Sequence, residues 1–95
     1  MAHLTAKSKG LESRVRRALE DGLNIAGIEA KVTTEAIKGT KLARVMVTAP
    51  GFKSLRPSER QDLVWRIMSG YFERDEQLRI SMILTLTPDE LAGKW

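Results

Sequence analysis

Residues Ala49–Phe72 read APGFKSLRPSERQDLVWRIMSGYF, and within them the chain turns from loop to helix. Pro50 and Gly51 open a loop in which Phe52 is the single large apolar side chain. Pro57 follows Leu55 and Arg56. A proline at the first helical position sacrifices nothing, because its missing N–H would have had no partner there. Beyond it, Leu63, Val64, Ile67, Met68, Tyr71 and Phe72 recur at i, i+1, i+4, i+5, i+8 and i+9, a spacing that paints one face of an α-helix. Arg60, Asp62, Arg66 and Glu73 fall largely on the other side.

Upstream, residues 42–48 alternate, with Ala43, Val45 and Val47 on one side and Arg44, Met46 and Thr48 on the other. Val32, Thr33, Thr34 and Ile37 alternate in part within 28–37. Between these runs Lys38-Gly39-Thr40-Lys41 is a turn whose glycine suits a positive φ. The two runs predict an antiparallel hairpin. Before them, Leu11, Val15, Ala18 and Leu19 follow helical spacing, Arg14, Arg16 and Arg17 face outward, and Gly22 is placed as the stop. Residues 1–9 are expected to be a disordered arm and 10–95 a single domain.

Downstream, residues 74–77 read as a charged connection. A third strand follows, with Leu78, Ile80, Met82, Leu84 and Leu86 assigned to its inner face. Thr87-Pro88-Asp89-Glu90 has the form of a helix start: a threonine cap, a proline at the first position and a glutamate three residues on. The turn it opens brings Trp95 back toward the body. The order is α-β-β-α-β with a short final helix. It predicts an α+β two-layer sandwich, a three-stranded mixed sheet with helices on one face. The last strand, reached through a right-handed helical crossover, lies parallel to one hairpin strand.

With 95 residues, 42% of them apolar and 29% charged, the chain has the composition of one small soluble domain with one core. It contains no cysteine, so disulfides, thiolate metal ligands and thiol nucleophiles are excluded. No apolar run approaches the roughly 18–20 residues that a membrane span needs. Placement in the cytoplasm is the expectation. Sixteen Lys and Arg against twelve Asp and Glu give a net charge of +4, which mildly favours polyanions. A catalytic constellation is missing: the serines have no histidine placed to activate them, and the carboxylates are scattered over helix faces. The expectation is a protein that is not an enzyme.

Two sites stand out. Lys53, Arg56 and Arg60 surround the start of the central helix, where the free N–H groups and the helix dipole favour anions, and Arg66 lies further along. Together they form a candidate nucleic-acid surface, or else a solubilising fringe. Trp65 lies on the polar side of the helix, as a docking anchor or as a cover for the sheet edge or the C-terminal tail. Phe52 is read as a core plug. Arg79, at the start of the last strand, is a forked donor for a phosphate or a partner carboxylate, or a charge that discourages strand addition at an edge.

The order of elements, the run Val47-Thr48-Ala49-Pro50-Gly51-Phe52, Arg60 eight residues past that phenylalanine, Val64 with Trp65, and Leu86-Thr87-Pro88-Asp89-Glu90 together resemble the BolA-like proteins. The resemblance runs from about residue 43 to 91 and extends by element order to the first helix and hairpin. It implies a fold like the class II KH domain. It also implies one of two roles: a DNA-binding transcriptional regulator of stress or cell-shape responses, or a partner of monothiol glutaredoxins that shares a [2Fe–2S] cluster in iron homeostasis. The ligand expected of this chain in the first role is DNA or RNA.

The chain departs from that pattern where the cluster would be held. Arg79 stands at the position of the family's ligand histidine, and the hairpin loop Lys38–Lys41 has neither His nor Cys. A guanidinium has no available lone pair and cannot ligate iron. No cofactor is therefore expected. The first functional expectation is nucleic-acid-binding regulation. The alternative is an adaptor that docks a glutaredoxin without holding a cluster.

Overall fold

A computed structural model describes the backbone of residues 2–93 and the side chains of residues 10–93. The expectation for Trp95 lies outside the described residues. Helix α1 is Ala2–Ile25, strand β1 Lys31–Ala36, strand β2 Ala43–Thr48, a 3₁₀ turn Pro50–Ser54, helix α2 Pro57–Tyr71, helix α3 Arg74–Gln77, strand β3 Ile80–Leu86 and helix α4 Pro88–Leu91. The sheet order is β1-β2-β3, antiparallel between β1 and β2 and parallel between β2 and β3. This is the α+β architecture with a mixed three-stranded sheet that the sequence predicts.

Both long helices bury apolar stripes on the same face of the sheet, although Tyr71, read into the stripe of α2, is exposed. Leu11, Val15, Ala18, Leu19 and Leu23 of α1 and Val64 and Met68 of α2 join Val32, Ala43, Val45, Val47, Ile80 and Ile83 in one core. Phe52, fully buried, plugs that core from the 3₁₀ turn, as expected. The opposite face of the sheet, with Thr33, Glu35, Arg44, Met82 and Leu84, is exposed.

Three local expectations need correction. Helix α1, Ala2–Ile25, does not stop at Gly22. It ends at Ile25, and Gly27 just beyond has φ of 83°, the left-handed value a C-terminal cap requires. The Gly27 amide donates to Asn24 O at 3.0 Å and the Ile28 amide to Leu23 O at 2.8 Å, the paired bonds that close a helix end. Gly22 instead lies within the helix opposite Ile67 of α2.

Residues 74–77 form a turn of helix, not an open connection. The Glu73 amide donates to the Glu76 carboxylate at 3.0 Å, and Glu76 accepts from Arg14 at 2.8 Å, tying α3 to α1.

Ile80 faces inward as read, but beyond it the inner and outer faces of β3 are exchanged. Ile80, Ile83, Thr85 and Thr87 are buried, whereas Met82 and Leu84 are exposed. The cause is a bulge. Ala43 pairs with Ile80 and Arg44 with Met82, so Ser81 is the extra residue and strict alternation breaks there.

The turn residues behave as read. Gly39 has φ of 82°. The Thr40 hydroxyl donates to Ile37 O at 2.8 Å and accepts from the Leu42 amide at 3.0 Å, fixing the hairpin loop. Thr87 caps α4: its hydroxyl accepts from the Glu90 amide at 3.1 Å, and the Glu90 carboxylate accepts from the Thr87 amide at 2.9 Å.

Candidate functional site

The cations at the start of α2 divide by burial. Lys53, Arg56 and Arg66 are exposed. Arg60 is not: it is 5% exposed and faces inward, one turn before Val64 and two before Met68. Its Nε donates to Phe52 O at 3.0 Å and Leu55 O at 3.1 Å, and Nη1 donates to Thr85 O at 3.2 Å. Nη1 also meets Glu90 Oε1 at 2.8 Å, with Nη2 and Oε2 at 3.4 Å. The guanidinium carbon stands 5.6 Å from the centre of the Phe52 ring.

Arg60 therefore fastens the 3₁₀ turn, β3 and α4 to the head of α2. The expectation of a phosphate contact at Arg60 is corrected: a buried fork whose donors already have acceptors is not presented to a polyanion. The Glu90 carboxyl is held below its ordinary value of 4.5, first by its hydrogen bond from Arg60 and then by the Thr87 amide, with partial burial opposing both.

Of the proposed anion surface, Lys53 and Arg56 remain together at the helix start. Arg66 lies further along α2, and exposed Glu59 and Asp62 stand on the helix between them. Glu59 accepts the Arg56 amide at 2.8 Å, so an acid already serves the helix N-terminus.

Trp65 is half-buried against the core, and its indole N–H donates to Gln61 Oε1 at 3.2 Å. Gln61 Nε2 in turn donates to Ile83 O at 2.7 Å and meets the Thr85 hydroxyl at 3.3 Å. Ile83 O and Thr85 O are thus capped by Gln61 and Arg60, and this closes the outer edge of β3 against strand addition. Of the two readings of Trp65, covering a sheet edge is the one its contacts match.

Arg79 precedes β3 and meets the hairpin loop, its Nε donating to Lys41 O at 3.4 Å. The Ala43 amide donates to Arg79 O at 2.9 Å and holds the two segments side by side. A shallow depression there is lined by Leu11, Glu12, Thr40, Lys41, Leu42 and Arg79, among others. So the two segments that the family resemblance singles out do converge at one end of the sheet. What they bring is guanidinium, ammonium, hydroxyl and backbone groups. An iron–sulfur cluster needs thiolate or imidazole, and this donor set does not fit one. Among the described residues no three His, Asp or Glu side chains gather to hold a metal ion, and no helix is long and apolar enough to cross a membrane.

No family model matches the chain, and no curated protein matches it.

Sequence reasoning missed the Arg60–Glu90 pair. The signal was present in the spacing, since position 60 continues the buried series 64 and 68 backward by one turn.

Proposed function

We propose that this chain is a BolA-like, non-enzymatic adaptor whose working contact is the hairpin end of the sheet, docking a protein partner of the monothiol glutaredoxin class without contributing ligands to a cluster. The observation that carries this reading is the junction of Arg79 with the loop Lys38–Lys41. It presents two lysines and a guanidinium at one end of the molecule, donors suited to carboxylates of a partner and unsuited to iron. The element order and the parallel β2–β3 pairing agree with the resemblance.

The test is a titration of the ¹⁵N-labelled chain with a monothiol glutaredoxin. Amide shifts concentrated at Lys38–Lys41 and Arg79, weakened by Arg79→Glu and retained in the double reversal Lys53→Glu and Arg56→Glu, support the adaptor. The visible spectrum of a cluster-loaded glutaredoxin should stay unchanged on mixing. Absence of any shift at the hairpin end rejects the reading.

A second reading, nucleic-acid regulation, is favoured by one observation: Lys53 and Arg56 remain exposed beside the start of α2. With Arg60 withdrawn, it ranks behind the first.

A further inference from the structure

The outward face of the sheet is arranged in three rows across the strands. Lys31, Thr48 and Leu86 form one, Thr33, Met46 and Leu84 the middle one, and Glu35, Arg44 and Met82 the third. Down β3 runs an apolar column, with Met82 41% and Leu84 42% exposed. Met46 extends this column onto the central strand. Down β1 runs a polar column with Lys31 at one end and, at the other, Glu35, which pairs with Arg44 of its own chain at 2.9 Å. The bulge at Ser81 puts these apolar side chains outside, so the face follows from the backbone geometry of β3.

We propose that this face binds a second copy of the same chain, about a two-fold axis that lies between the two sheets and crosses the strands through the Thr33–Met46–Leu84 row. With the strands of the two sheets aligned, two-fold packing of a face on itself allows two placements of the axis. An axis along the strands sets β1 over β3, so Lys31 meets Leu86, Glu35 meets Met82, and two charges lose water to methyl groups. An axis across the strands sets each strand over its own copy with the ends exchanged. Lys31 then faces Glu35 of the second copy, Met82 faces Leu86, Arg44 faces Thr48, and Met46 and Leu84 face themselves. The charges at the two ends of β1 and the apolar column of β3 are complementary to their own copies only in this second placement. Nine side chains a face fall short of the roughly 20–30 residues a side of a standard interface. The association is accordingly weak, with a Kd of about 100 µM or higher.

Analytical ultracentrifugation between about 20 µM and about 1 mM reads it directly. The wild-type chain is expected to sediment faster as concentration rises. Lys31→Glu and Glu35→Lys, each alone, set like charges against each other and should stay monomeric over that range. Their equimolar mixture restores both cross-face pairs and should associate as the wild type does. Leu84→Lys should be monomeric alone and in any mixture. These side chains are exposed, so far-UV circular dichroism should match the wild type throughout. Wild-type chain that stays monomeric at about 1 mM overturns the proposal. So does a charge-swap mixture that does not recover association, or a Leu84→Lys variant that associates undiminished.

Discussion

Arg60 and Glu90 lie thirty residues apart and meet at 2.8 Å, joining the head of α2 to α4. The same guanidinium bonds the carbonyls of Phe52 and Thr85 and stands over the Phe52 ring. Phe52, Arg60, Thr87 and Glu90 thus form one structural fastening, which accounts for these side chains without any ligand.

Replacing Arg60 with methionine should destabilise the chain by about 2–4 kcal/mol, because Thr85 O would lose its donor and the Glu90 carboxylate its cation. Arg60→Lys should recover little, since an ammonium cannot span Phe52 O, Thr85 O and Glu90 as the planar fork does. Urea unfolding followed by tryptophan fluorescence measures both. A loss under about 0.5 kcal/mol for Arg60→Met, the range of an ordinary surface change, would return Arg60 to the set of available cations.

Glu90 sets an acid limb of stability. Its carboxyl titrates below 4.5 in the folded chain, so the folded state prefers the ionised form. The stabilisation is complete above the ordinary value and disappears as pH falls through the lower folded one. Glu90→Gln should therefore lower Tm at neutral pH and flatten the fall in Tm between about pH 5 and about pH 2. Equal slopes for wild type and variant over that interval would show that Glu90 makes no such contribution.

The elements were legible because each carried its own period. The 3.6-residue stripe of α2, the alternation of β2 and the cap at Thr87 are local signals that packing did not override. The face of β3 was not legible, because Ile80, Met82, Leu84 and Leu86 are all apolar while Ser81 and Thr85 between them are polar, so the alternation points to the set that the structure turns outward beyond Ile80. One extra residue then decides which set turns inward. Arg60 misled for a different reason. A charge on a helix is ordinarily solvated, and the acid and carbonyls that allow this one to be buried are distant in the chain. At the candidate site, the loop 38–41 and Arg79 could be placed together through the resemblance, whereas Gln61 and Trp65 as guards of the β3 edge could not.

Salt dependence bounds the nucleic-acid reading. With Lys53, Arg56 and Arg66 as the available cations, log K for a DNA duplex should fall against log salt with a slope no steeper than about −2.7. Arg56→Gln should reduce that slope by about 0.9 in any sequence. A slope indistinguishable from zero removes nucleic acid as a ligand. A much steeper one means that cations beyond the head of α2, such as Arg16, Arg17, Lys38 or Lys41, take part.

Gly22 marks the close approach of α1 and α2. A Cβ there would lie 2.6 Å from Ile67 Cγ2 and 3.1 Å from both Cγ1 and Cδ1. Those atoms belong to one β-branched side chain, whose χ1 has little freedom to swing away within a helix. Gly22→Ala should gain about 1 kcal/mol of helix propensity yet lose more through displacement of the helix pair, for a net loss of about 1–2 kcal/mol. Ile67→Ala alone should also destabilise, by vacating its half-buried site. Combined, the two should cost less than their sum by about 1 kcal/mol, since the new methyl group enters space that the isoleucine no longer fills. Denaturant unfolding of the four chains closes the cycle. Strict additivity, or a Gly22→Ala chain more stable than wild type, would mean that the helices can separate at little cost and that glycine is not required at the crossing.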